Sequence, residues 1–81
     1  MNEHLMSAVL WSAMFFETSS DSECDPDLAV KQLEQVAWNL GQMSPAEQQA
    51  FRAFAERTAA AERNGDFAAQ IRALVVELLP E

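Results

Sequence analysis

The chain predicts an all-α fold, a compact bundle of about four helices at approximately 3–18, 26–40, 45–64 and 66–79. Three observations carry this. Ala is abundant, Gly is confined to Gly41 and Gly65, and β-branched residues are few, a composition that favours helix over sheet. Apolar residues recur at three- and four-residue spacing along most of the chain. Two stretches, Asp25-Pro26 and Ser44-Pro45-Ala46-Glu47, read as helix starts.

The first helix spans Glu3 to about Thr18. Its apolar run, Leu5 to Phe16, is interrupted only by Ser7 and Ser12. Leu5, Val9, Ser12, Ala13 and Phe16 share one face, and Met6, Leu10, Trp11 and Met14 cover much of the rest. A helix apolar nearly all round is surrounded in the native state, so this one is either the centre of the bundle or part of an interface. LWSAMFF also reads as a short strand, which periodicity alone does not separate from a helix; the length of the run and its Ala and Met content favour helix.

The second helix starts with Asp25 as N-cap, Pro26 at the first helical position and Asp27 in a first turn whose dipole favours an acid. Ala29, Leu33, Val36 and Leu40 form its inward stripe, widened by Val30 and Ala37, and Gly41 is placed as its C-cap. Trp38 falls roughly opposite that stripe, near Lys31 and Glu34, at about 100° of rotation per residue. It reads as packing against the first helix or as an anchor for a partner.

The third helix opens with a capping box, Ser44 to Glu47. Its inward stripe is Ala50, Phe51, Phe54, Thr58 and Ala61, and Arg52 and Glu56 can pair at four-residue spacing. Asn64-Gly65 ends it, and Asp66 caps the fourth helix, which presents Phe67, Ile71, Leu74, Val75 and Leu78 inward and stops at Pro80. The break at 64–65 is short enough for a helical hairpin, with a kink in one longer arm as the alternative. The expected core is Leu5, Val9, Ala13, Phe16, Leu33, Val36, Leu40, Phe51, Phe54, Ile71, Leu74 and Leu78.

Eighty-one residues make one domain, 1–81, with an acidic linker at 17–25. A chain this short buries only roughly 60–65% of its unfolded surface, so one core must serve. Net charge is −8, from thirteen acids and five bases. Glu17 to Asp27, ETSSDSECDPD, holds five carboxylates in eleven residues and no Lys or Arg, leaving −3 for the remaining seventy. Nucleic acid and anionic lipid are polyanions that such a surface repels. The balance favours a protein partner with a basic patch, and the competing reading is a solubility device. One cysteine, Cys24, cannot form an internal disulfide, which fits a reducing, cytoplasmic setting. The run at 5–16 is shorter than the about 20 residues that span a bilayer. No Lys or Arg precedes it and no small-residue cleavage site follows, so it is expected to stay in the mature protein.

Little in the chain carries catalytic chemistry. His4 is the single histidine, near an end expected to fray, with no Cys or second His at metal spacing. A calcium loop begun at Asp21 would need Gly where Pro26 stands and Glu where Gln32 stands. Cys24 sits among Glu23, Asp25 and Asp27, and surrounding negative charge makes it a poor nucleophile. Size, acidity and helix count are shared with acyl carrier proteins, but Asp25-Pro26-Asp27-Leu28 has no serine where those carry a modified Asp-Ser-Leu serine. No enzyme, cofactor or metal is expected.

The layout of apolar helix, acidic linker, DPDLAVKQLEQVAWNL and serine-proline-capped helix resembles small acidic helical bacterial proteins of the immunity or antitoxin kind. The resemblance covers the whole chain in style and carries over no functional residue. It implies a stoichiometric inhibitor that binds a cognate toxin and blocks its active site or substrate path. On that expectation Glu17, Asp21, Glu23, Asp25 and Asp27 steer and pair with the partner, and Trp38 or Trp11 anchors it. The alternative is a self-associating structural or adaptor module, a homodimer through residues 5–16 that buries Met6, Leu10, Trp11, Met14 and Phe15 across a two-fold axis.

Overall fold

A computed structural model describes residues 2–80. Among these the chain forms four helices and no strand: α1 (Glu3–Thr18), α2 (Pro26–Gly41), α3 (Pro45–Ala61) and α4 (Gly65–Leu78). The all-α bundle of about four helices is the observed architecture. α3 and α4 pack as a hairpin, α1 lies along α2, and α2 with α4 and α1 with both α3 and α4 close the bundle.

Side chains set most of the helix ends. Asp25 accepts from the backbone N–H groups of Asp27 (2.9 Å) and Leu28 (3.2 Å) at the start of α2. The Ser44–Glu47 capping box is complete: Glu47 N–H donates to Ser44 Oγ at 3.2 Å, and Ser44 N–H donates back to Glu47 Oε1 at 3.2 Å. Asparagines cap the other two helices. Asn2 accepts from Leu5 N–H (2.9 Å) and Asn64 from Phe67 N–H (3.1 Å).

Asn64, not Asp66, is thus the cap of α4, and Asp66 sits in its first turn. α3 ends at Ala61 rather than near 64, because Glu62 is extended and its carboxylate accepts from Asn64 N–H at 3.1 Å. Replacing a capping side chain by Ala costs about 1 kcal/mol. Asn64→Ala is therefore expected to lower the urea midpoint by that equivalent, and Asp66→Ala to lower it by less. Equal losses would return the cap to Asp66.

Gly41 does not take the left-handed C-cap conformation expected of it; no described residue has positive φ. It is the last residue of α2 and Gln42 is the cap. The Leu40 carbonyl accepts from Met43 N–H at 3.2 Å, and a side chain adds to this end of the helix: Gln48 Nε2 on α3 lies within hydrogen-bond distance of the carbonyls of Leu40 (3.1 Å), Gly41 (3.3 Å) and Met43 (3.1 Å), which share its two N–H groups. With its helix end satisfied from α3, α2 needs no backbone reversal at the glycine.

The core is Met6, Leu10, Ala13, Met14, Leu40, Phe51, Ala55, Ala59, Ala68, Ile71, Leu74, Leu78 and Leu79, with Val9, Leu33, Val36, Phe54, Phe67 and Val75 packed partly against it. Two helices are rotated relative to their expected faces. On α1, Met6, Leu10, Ala13 and Met14 point inward while Leu5 is 55% exposed. On α3 the buried stripe is Phe51, Ala55 and Ala59, with Ala50 and Ala61 exposed. The alanines at 13, 55, 59 and 68 leave room that Leu10, Met14, Phe51 and Ile71 fill, and unbranched Met suits such irregular space. Phe16 and Thr58 are only half-buried, and Val30 is 53% exposed.

Among the described residues two ion pairs cross between helices on the surface. Arg57 meets Glu3 at 3.2 Å, and Arg72 makes a two-point pair with Glu56 at 3.0–3.3 Å. Arg52 does not pair with Glu56 as its spacing allowed. Its Nη2 donates to the Leu79 carbonyl at 3.2 Å, meeting an acceptor left open at the end of α4. The tertiary pair wins because Arg72 reaches Glu56 with two nitrogens, and a forked contact outweighs one exposed contact at four-residue spacing.

Candidate functional site

The acidic stretch forms the junction of α1 and α2, and much of it is used locally. Ser19 ends α1 by donating its hydroxyl to the Phe15 carbonyl. The chain then turns on Ser20, whose carbonyl accepts from the N–H groups of Glu23 and Cys24, each at 3.0 Å. Glu23 Oε1 accepts in return from the Ser20 N–H and hydroxyl, also at 3.0 Å. Glu23 thus makes the return half of a capping box, while its own N–H bonds the Ser20 carbonyl rather than the Ser20 hydroxyl. These bonds hold the Glu23 carboxyl below the ordinary carboxylate range, the backbone N–H contributing most. Glu23 and Asp25 are therefore structural groups as well as charges.

Glu17, Asp21 and Asp27 are left. No Lys or Arg pairs with them among the described residues, since the ion pairs lie elsewhere, at Arg57–Glu3 and Arg72–Glu56. Asp21 and Asp27 are exposed. Glu17, in the last turn of α1, shares a shallow groove with Thr18, Gln70, Ala73, Leu74 and Glu77. Partial cover by α4, and then the nearby Glu77 charge, push its carboxyl above the ordinary value. A raised carboxyl binds its proton more tightly in the folded chain, so ionising it costs stability as pH rises through the range just above the usual carboxylate value. Glu17→Gln is expected to raise the urea midpoint at pH 7, with the gain shrinking towards pH 4. A gain that stays constant with pH would remove the electrostatic cause. Glu56 runs the other way. Its hydrogen bonds from Arg72 hold it low, so its contribution is present at neutral pH and is lost in acid.

The two tryptophans lie in different settings. Trp11 is 42% exposed and stacks on Phe67, with ring centroids 5.8 Å apart and planes 12° from parallel. It lines a groove with Glu3, Phe54, Arg57 and Glu62, which contains no member of the acidic stretch. Arg57 stands there over the Phe54 ring, 5.9 Å from its centroid. Trp38 is 61% exposed. It does not pack on α1; it lines a groove with Glu34, Gln48, Glu77, Leu78 and Pro80, between the end of α2 and the end of α4.

Glu77 lines both this groove and the one that holds Glu17. Through it, α4 connects the acidic end of α1 to Trp38. Trp11 is not brought to that surface. Glu77 has no signal in the sequence, because only the packing of α4 brings it beside Glu17. Glu34 was legible as a neighbour of Trp38 four residues on. The dimer patch is reduced by the same packing: Met6, Leu10 and Met14 belong to the core, leaving Trp11 and Phe15 exposed.

Among the described residues no three His, Cys, Asp or Glu side chains converge in a group able to hold a metal. No described helix is long and apolar enough to cross a membrane. Comparison with family models, with curated proteins and with solved structures finds no match for the chain.

Proposed function

We propose that the chain is a non-enzymatic binding protein, an inhibitor of the immunity or antitoxin kind, which blocks a partner protein carrying a basic patch. One observation supports this above the others. Glu17, Asp21 and Asp27 have no basic partner among the described residues, and Glu17 binds its proton more tightly because it is partly covered and, secondly, because Glu77 stands beside it. A surface whose charges repel one another gains most from an incoming cation. Asp21 and Glu17 steer the encounter, and the apolar side chains around them supply contact area.

The experiment starts from a partner isolated with the chain from its native host. Glu17→Lys with Asp21→Lys is compared with the unaltered chain for association with that partner. Association is expected to slow by about tenfold or more, with a weaker dependence on salt. Unchanged rates and an unchanged salt dependence would remove the mechanism. Glu23 and Asp25 are left in place because both hold the local backbone.

A second reading is self-association, favoured by the exposure of Leu5, Trp11 and Phe15 along α1 at 55%, 42% and 49%. Sedimentation of a monomer at high concentration would count against it.

A further inference from the structure

Trp38 is the most exposed aromatic ring among the described residues, and the groove it lines has a volume of about 520 Å³. Two kinds of surface meet there. Leu78, Leu79 and Pro80 at the end of α4 and Ala37 on α2 make the walls apolar, while Glu34 and Glu77 bring one carboxylate from each helix. Among the described residues no Lys or Arg lines it. The two N–H groups of the Gln48 amide are shared among the carbonyls of Leu40, Gly41 and Met43, so it is no competing donor for those carboxylates.

We propose that this groove seats an Arg or Lys side chain of a protein partner, with its cation over the Trp38 indole and between Glu34 and Glu77. The proposal rests on the binding function above and names the contact through which a basic partner is held. Charge complementarity selects the occupant. An indole face attracts a cation through its quadrupole, and two carboxylates accept its hydrogen bonds. The apolar stem of a long basic side chain covers Leu78 and Pro80. Arg suits the site better than Lys, because a planar guanidinium can lie flat on the ring and still donate to both sides. Continuity supports the same occupant: Glu77 also lines the groove of Glu17, so a basic peptide seated at Trp38 extends onto the acidic end of α1.

The test uses Trp11→Phe, which leaves Trp38 as the one indole reporting by fluorescence. An arginine-rich peptide is titrated against it at low salt, beside a peptide of the same length with citrulline at each arginine. Trp38 emission is expected to change saturably with the arginine peptide alone, and the response to weaken towards physiological salt (about 0.15 M). Glu34→Gln with Glu77→Gln is expected to weaken the peptide about tenfold or more. Circular dichroism checks that this variant stays folded, as two exposed substitutions should leave it. An equal response to citrulline would show an apolar occupant and overturn the proposal, as would sedimentation showing that a second copy of the chain fills the groove. Binding lost in Glu17→Lys with Asp21→Lys, but unchanged in Glu34→Gln with Glu77→Gln, would overturn the groove and leave the proposed function standing.

Discussion

Leu10→Ala is expected to destabilise the bundle by about 2–5 kcal/mol, whereas Leu5→Ala is expected to change it by less than about 0.5 kcal/mol. The two leucines stand on one helix, five residues apart, with the same side chain. Leu10 is fully buried, and Leu5 is 55% exposed. Removing Leu10 leaves a cavity beside Ala13, Phe51 and the rest of the core, which close-packed neighbours fill only in part. At about 0.05–0.15 kcal/mol per residue, a chain of this size has roughly 4–12 kcal/mol in total. The Leu10 variant therefore loses a large share of its stability. Urea unfolding followed by far-ultraviolet circular dichroism measures both, and an unchanged slope with a shifted midpoint identifies a stability effect. A larger loss at Leu5 than at Leu10 would mean that α1 turns its other face inward.

Phe51→Ala is expected to cost about 3–5 kcal/mol, enough to leave a measurable unfolded fraction at room temperature if the parent lies low in its range. Phe51 is the largest fully buried side chain of the protein. It lies on α3, the helix that pairs with α4 and also contacts α1. Phe54 is the control. It falls on the same expected stripe three residues later, but it is only half-buried and carries Arg57 over its ring. Phe54→Ala is expected to lower the thermal midpoint by clearly less than Phe51→Ala. Equal shifts would place both rings in the core.

The α2 and α4 stripes were legible because each helix has a polar side. On α4, Ile71, Leu74 and Leu78 alternate with Gln70, Arg72 and Glu77, so the 3.6-residue period has one solution. α1 offers no such contrast. With apolar side chains on nearly every face, rotating it by a quarter turn costs nothing at the level of pattern. The face is then chosen by fit to the alanine-lined space of α3 and α4. On α3 the difficulty is alanine itself, which reads as neutral in a pattern yet is what lets Ala55 and Ala59 bring the helices together.

The acidic stretch divides in a similar way. That Asp25 caps α2 follows from Asp-Pro chemistry over three residues. That Glu23 is tied to Ser20 follows from a serine and a glutamate at capping-box spacing, a signal present in the sequence but not read as a helix start because Pro26 and its Asp25 cap already mark one. Glu77 beside Glu17, and Glu77 again beside Trp38, join residues some forty to sixty positions apart, and no local rule reaches that far.

The amino-acid sequence by itself determined that this chain is helical, where three of its helices begin, and that its negative charge gathers at the α1–α2 junction. Propensity, capping and net charge are local quantities, summed over neighbours along the chain. Only the tertiary structure decided which face of α1 is inside, that Gln48 rather than Gly41 completes the end of α2, and that Trp38 shares a groove with two carboxylates. Those outcomes depend on how distant side chains fill a common volume and on which charges that filling brings together.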